Sequence, residues 1–182
     1  MIKDLVGRSD LIIHLACIVG APSCEKDPIA AKTVNYDSVI NIIEASRTSC
    51  KPIIFPSTDS GYGIGQEGVL CTEEAPLNPG SLYGRLKVEA EREVLKRGNS
   101  ISLRLATLFG MSPRMRLDLL VNDFVYRAVN DRFVILFESH FKRNFIHVRD
   151  AAKAFVHSVD NFDMMKDQIY NVGLSKVNVS KL

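Results

Sequence analysis

Three apolar runs, separated by stretches of helical periodicity, constrain this chain more than any other feature. The runs are Leu11-Ile-Ile-His-Leu-Ala16, Pro52-Ile-Ile-Phe-Pro-Ser-Thr58 and Ile101 to Thr107. The first is continuous enough to suit a strand covered on both faces. The third alternates Ile101, Leu103 and Leu105. Between the first two runs, Val34, Val39, Ile42, Ile43 and Ala45 recur at helical spacing within Ala30 to Ser49. Between the second and third, Ser81 opens a helix through about Lys96, which Gly98-Asn99 stops. Strand, helix, strand, helix, strand in short order predicts right-handed βαβ units and a parallel sheet. Further on, the pattern predicts a helix over Leu117–Val129, strands at Phe133–Phe137 and Asn144–Val148, a helix over Arg149–Val159 and a last strand at Gln168–Val172. Gly61 to Pro79, rich in Gly and Pro, reads as a loop. The expected fold is α/β, a parallel sheet with helices on both faces. Its first three strands should be neighbours that carry Ala16, Thr58 and Thr107 to one edge, where such sheets bind ligands.

The length of 182 residues suits one domain. Lys and Arg number 23 against 21 Asp and Glu, and the positive charges are scattered, so nothing argues for nucleic acid. The four cysteines, Cys17, Cys24, Cys50 and Cys71, lack metal or redox spacing. They read as reduced thiols of a cytoplasmic protein, and no metal is expected. No apolar run approaches a membrane span, and the first residues carry no signal-peptide pattern, so no membrane partner is expected.

Tyr83-Gly-Arg-Leu-Lys87 places a phenol and an ammonium on one face of the predicted helix. Thr58 supplies a hydroxyl at the end of the second strand. A tyrosine with a pKa of about 10 is a poor base at neutral pH. A nearby ammonium favours the phenolate, so Lys87 is expected to lower the Tyr83 pKa. By itself such a pair is also an ordinary helix-surface pair; the strand-end hydroxyl makes it a candidate proton-transfer site. His14, alone in an apolar strand, reads as a satisfied structural residue. Gly61-Tyr-Gly-Ile-Gly65 reads as a flexible loop rim rather than a phosphate cradle, because it leads into no helix. No Gly-x-Gly-x-x-Gly turn stands ahead of Leu11.

Several motifs in a fixed order resemble the extended short-chain dehydrogenase/reductase family, the NAD-dependent epimerases and dehydratases of nucleotide sugars. Asp10-Leu-Ile-Ile-His-Leu-Ala16 is similar to that family's strand beside the cofactor. Val34-Asn35, Asn41 and Glu44-Ala45 are similar to its next helix. Phe55-Pro-Ser-Thr-Asp-Ser-Gly-Tyr-Gly63, Tyr83 to Lys87, Leu103-Arg104 to Gly110 and Arg143-Asn-Phe-Ile-His-Val-Arg-Asp150 follow in the family's order. The resemblance begins at about the family's fourth strand and stops after Tyr170-Asn-Val-Gly173. The chain is therefore expected to be a fragment lacking the glycine motif. It divides into the later part of the dinucleotide-binding domain (1–110), a partial substrate region (111–147) and a return to the first domain (148–182). Alone, it is expected to be inactive and to bind NAD weakly.

The resemblance implies roles. Tyr83 is the acid/base on the sugar hydroxyl, Lys87 holds down its pKa and binds the nicotinamide ribose, and Thr58 hydrogen-bonds the reacting oxygen. Ala16, Cys17 and Leu105 line the cofactor, NAD with NADP not excluded. Thr107 approaches the sugar, while Asn122 and Arg143 hold the diphosphate, with Arg114 and Arg116 equally surface charges. His147 and Asp150 tie a strand to the following helix. The dehydratase branch shows Thr-Asp-Glu where this chain reads Thr58-Asp59-Ser60. A serine cannot replace the missing carboxylate as base. An epimerase is therefore favoured over a dehydratase, a reductase or a non-catalytic remnant. The substrate is a nucleotide-diphosphate sugar, and the full-length parent is expected to be a homodimer.

Overall fold

The computed structural model describes residues 2–64, 71–137, 139–140 and 142–174. In chain order the elements are α1 (Ile2–Arg8), β1 (Ile12–Ile13), α2 (Ala21–Lys26), α3 (Pro28–Lys32), a π-helical segment (Thr33–Asp37), α4 (Ser38–Ala45) and β2 (Ile53–Thr58). A 3-10 turn (Asp59–Tyr62) leads on to α5 (Leu82–Arg97), β3 (Ser100–Leu105), β4 (Thr107–Phe109) and α6 (Leu120–Asn130). The last elements are β5 (Phe145–His147), α7 (Val148–Asp160), α8 (Phe162–Met165) and β6 (Gln168–Val172).

The main sheet has the order β1-β2-β3-β6 and is parallel throughout. Thr58 lies opposite Leu105, so the strands end together at one edge. Each strand of the centre is covered twice. On one face, Ile53 and Phe55 pack with Val39 of α4 and Ala90 and Val94 of α5. On the other, Ile54, Ile101 and Leu103 pack with Phe155 of α7 and with Phe162 and Met165 of α8. The second sheet, β4 with β5, is also parallel and continues where β3 leaves off.

Helix α5 forms as its sequence dictates. The Ser81 hydroxyl accepts from Gly84 N at 3.1 Å, and Gly98 ends the helix with φ +77°. At the other end of the site-bearing region, Nδ1 of His147 accepts from Arg149 N and caps α7. Asp150 instead pairs with Lys153 within that helix.

Other expected elements differ. The run from Leu11 to Ala16 is strand only at Ile12–Ile13, because only that pair joins the ladder with β2. It is an edge, with Ile13 and Leu15 exposed rather than covered. The long helix expected over Ala30–Ser49 is α3, a π segment and α4, ending at Ala45. The π segment seats Asn35, whose amide bonds Ile18 N at 2.7 Å and Ile18 O at 2.9 Å. That bond anchors the chain leaving β1. The third strand stops at Leu105, and Thr107 belongs to the second sheet. Phe133–Phe137 is not a strand; Phe133, Ile135, Leu136 and Phe137 are exposed. Gly61 and Tyr62 are buried in the 3-10 turn rather than forming a loop rim, while Gly65 lies outside the described residues.

Candidate active site

Helix α5 packs against β2, β3 and the 3-10 turn that follows β2. Thr58 is the last residue of β2 and is buried; its hydroxyl accepts from Ser60 N at 3.2 Å and turns the chain into the 3-10 segment. The same hydroxyl lies near enough to Tyr83 to draw the phenol pKa down. Tyr83 stands half-buried in the first turn of α5, and Lys87 follows one turn on, fully buried. Thr58, Tyr83 and Lys87 thus stand on two elements, β2 and α5, that pack against each other.

The electrostatics differ from the simple expectation. Burial drives the Tyr83 phenol well above the ordinary tyrosine range, and the neighbouring Cys17 thiol adds to the rise. Lys87 is not what sets this pKa; the pull downward comes from the Thr58 hydroxyl. Lys87 is itself pushed down to about 8, because its ammonium is desolvated. Its Nζ lies 4.0 Å from the centre of the Phe55 ring, a cation–π contact that replaces a carboxylate partner. Among the described residues it forms no ion pair.

Asp59, directly after Thr58, adds a second titratable group to the turn. Burial raises its carboxyl to about 6, against the opposing charge of Arg143. Arg143 stands exposed in the segment just ahead of β5, near enough for its charge to act on Asp59. Arg116 interacts with Tyr83 and pairs with Asp118, its Nε donating to that carboxylate at 2.8 Å. Arg114 is exposed.

Ala16 is exposed and Cys17 half-buried after β1, and burial raises the Cys17 thiol while Lys87 lowers it. Leu105 ends β3, half-buried. His14 Nε2 meets the Ser38 hydroxyl at 3.1 Å. Because that hydroxyl donates to Val34 O at 2.6 Å, Nε2 is the donor and His14 is held as a structural residue, with burial lowering its pKa. Thr107 is half-buried at the start of β4. Asn122 is buried in α6, and both ends of its amide bind backbone: Oδ1 accepts from Gly110 N at 3.0 Å and Nδ2 donates to Arg116 O at 3.1 Å. It staples the segment that carries Arg116. Among the described residues no cluster could hold a metal ion, and no helix is long and apolar enough to cross a membrane.

A parallel sheet covered on both faces by helices, with a hydroxyl at a strand end and a phenol and an ammonium on the helix beside it, is an α/β fold of the dinucleotide-binding type. The chain belongs to the NAD-dependent epimerase/dehydratase family, whose model matches residues 2–173. The motifs implied this membership. UDP-glucose 4-epimerase 2 of Arabidopsis thaliana is 25% identical over 191 residues, covering 91% of this chain and 54% of that protein. The dTDP-4-dehydrorhamnose reductase of Sinorhizobium fredii is 37% identical over 82 residues, 45% of this chain and 27% of the reductase. The chain thus spans about half the length of the Arabidopsis relative. Among solved structures, the UDP-glucuronic acid 4-epimerase of Bacillus cereus in complex with UDP-glucuronic acid and NAD aligns with a TM-score of 0.85 at 24% identity. It covers 98% of this chain and 58% of the epimerase. The dTDP-glucose 4,6-dehydratase of Bacillus anthracis with NAD aligns with a TM-score of 0.82 at 19% identity, over 98% of this chain and 57% of the dehydratase. These likenesses establish the fold.

Proposed function

We propose that these residues form the catalytic part of an NAD-dependent epimerase acting on a nucleotide-diphosphate sugar. The observation that carries this reading is the placement of Thr58, at the end of β2, against the helix that carries Tyr83 and Lys87, with the charge of Arg116 acting on Tyr83 and that of Arg143 on Asp59. The donor set fits NAD. Lys87 is a buried ammonium that forms no ion pair among the described residues, so its protons are available to ribose hydroxyls, and Ala16 is exposed after β1. Two buried polar atoms of the region, His14 Nδ1 and Ser57 Oγ, also lack partners among the described residues. When bound, NAD supplies a two-electron acceptor that takes a hydride and gives it back.

The chain's own residues handle the proton and the charge. Thr58 Oγ1 holds the reacting sugar oxygen next to Tyr83 Oη. Tyr83 Oη exchanges the proton of the sugar hydroxyl; burial keeps that oxygen protonated, so the phenolate depends on Thr58 and on the nearby cation Arg116. Lys87 orients the cofactor ribose. Arg143 and Arg116 carry fork-shaped donors suited to diphosphate oxygens. Asn122 acts through the segment it staples.

A second reading is a 4,6-dehydratase, favoured by the carboxyl of Asp59, next to Thr58, standing at about 6. An acid in that range can protonate a leaving hydroxyl near neutral pH. The missing carboxylate at Ser60 weighs against it. Proton NMR on UDP-sugars incubated with NAD and the longest gene product that contains these residues separates the two. A 4-epimer is expected, and Tyr83→Phe should slow its formation about 10²–10⁴-fold. A 4-keto-6-deoxy product would establish the second reading, and turnover unchanged in Tyr83→Phe would overturn both.

A further inference from the structure

Beside Thr58 and along α5 lies a polar network that the reaction chemistry does not use. The α5-facing row of β3 is Ser100, Ser102 and Arg104, all buried. Arg104 is 4% exposed and Glu91 only 1%. The guanidinium grips the carboxylate with Nε at 3.1 Å and 3.2 Å and Nη2 at 2.7 Å, and Ser102 donates to the same carboxylate at 2.8 Å. Nη1 points the other way, donating to the Tyr62 hydroxyl at 2.8 Å and to Glu73 O at 3.0 Å. Tyr62 then donates to Asn171 Oδ1 at 2.6 Å. Asn171 in turn binds the side chain of Glu73 at 2.7 Å and the carbonyl of Cys71 at 3.1 Å.

The placement of these residues gives the network a purpose. Glu91 is one helical turn beyond Lys87 and two beyond Tyr83, on the same face of α5. Tyr62 closes the 3-10 turn that starts with Asp59, directly after Thr58. Arg104 lies opposite Ser57 in the sheet, one residue from Thr58. A buried ion pair adds little net stability over apolar packing, but a bidentate guanidinium fixes direction. We propose that Glu91, Arg104 and Tyr62 form a positioning unit that fixes the Thr58–Asp59 turn against the helix carrying Tyr83 and Lys87. The proposal rests on the catalytic reading of Tyr83 given above. Arg104 reads the helix through one side of its fork and the turn through the other. Asn171, at the end of β6, locks the far side of Tyr62.

Tyr62→Phe tests this with the loss of one hydroxyl, since the ring keeps its place 5.0 Å from the guanidinium. Amide exchange should quicken about tenfold or more at Gly63 and Asn78, whose hydrogen bonds close the turn, and less than about twofold in α5. The NMR signal of ¹³C-labelled Tyr83, assigned with Tyr83→Phe, should titrate nearer the ordinary phenol range as water reaches it. Asn171→Ala, at an exposed position, should shift both readouts in the same direction and by less. In the sugar assay, kcat of Tyr62→Phe should fall about tenfold with KM held within about twofold, the mark of misplacement rather than lost binding. Wild-type exchange and titration in both variants would overturn the proposal. So would acceleration of α5 by the same factor as the turn, which is the mark of a purely structural role. Absence of turnover in the wild type would sink the functional reading alone, and the exchange and titration results would still decide this one.

Discussion

Gly61 faces Val88 across so small a gap that a Cβ on Gly61 would stand 2.9 Å from Val88 Cγ2. A second glycine completes the contact. On Gly84, a Cβ would come within 3.2 Å of Ser60 O and 3.0 Å of Pro79 Cβ. The turn that carries Asp59 therefore rests directly on the first turns of α5, with glycine on both sides. Gly61→Ala should cost about 1–3 kcal/mol, the usual range for overpacking a closed site, because the β-branched Val88 has little rotamer freedom with which to yield. Gly61→Ala combined with Val88→Ala should recover much of that loss relative to Val88→Ala alone. Denaturant unfolding of the four proteins of this cycle checks it, and strictly additive losses would show that the contact is not what limits the site.

Asp59 carries a pH signature. Its folded pKa, about 6, lies above the ordinary 3.8, so the folded state binds more protons between those values. The group's contribution to stability is present in full below pH 3.8 and is lost as pH rises through about 6. Asp59→Asn imitates the protonated form at every pH. It should be more stable than the wild type by about 1–3 kcal/mol at pH 7–8, with the difference vanishing near pH 4. Urea unfolding across pH 4–8 measures this, and a pH-independent difference would refute the raised pKa.

Lys87 has the opposite sign. Its folded pKa of about 8 lies below 10.5, so the unfolded state binds more protons between those values, and stability rises with pH across that window. Lys87→Met removes the penalty of a buried ammonium while filling similar space. The variant should be more stable at pH 7 by up to about 3 kcal/mol, less the lost contact with the Phe55 ring, and its advantage should shrink above pH 8. It should also lose affinity for NAD, a trade of stability against function. Thermal unfolding at pH 7 and 9.5, with NAD titration by calorimetry, checks both halves. A destabilised variant that still binds NAD as the wild type does would contradict this account.

Much of the fold was legible. Ser81 and Gly98 marked the ends of α5, and the apolar runs marked the neighbouring order of β1, β2 and β3. The site elements were legible for the same reason, since Thr58 ends a strand and Tyr83 and Lys87 share one helix face. What escaped had no local signal. The alternation of Ile101, Leu103 and Leu105 implies one apolar face and one solvated face, yet Ser100, Ser102 and Arg104 are buried against Glu91. Period alone cannot tell a solvated polar row from a buried, paired one. The π segment around Asn35 depends on a partner at Ile18, far off in sequence. The environments of Asp59 and Tyr83 arise from burial, which single residues do not announce; the ammonium one turn away suggested a lowered phenol where burial raises it.

The outer side of β1 leads to a last expectation. Among the described residues no strand pairs with Ile12–Ile13 on the side away from β2. Around that edge Leu5 is 61% exposed, Leu15 67%, Val19 42% and Ile13 37%. An unpaired strand edge offers free backbone donors and acceptors, and apolar side chains beside it make contact with another chain favourable. Residues 1–182 by themselves should therefore associate, with a sedimentation coefficient that rises with concentration. Leu15→Lys places a charge beside the edge, as natural edge strands do, and should move the chain toward monomer without touching the core, since Leu15 is the most exposed of the four. A wild type that sediments as a monomer at every concentration would show that this edge is satisfied within the chain. A Leu15→Lys variant that associates as strongly as the wild type would place the contact elsewhere, with the exposed Phe133, Ile135 and Phe137 the next surface to substitute.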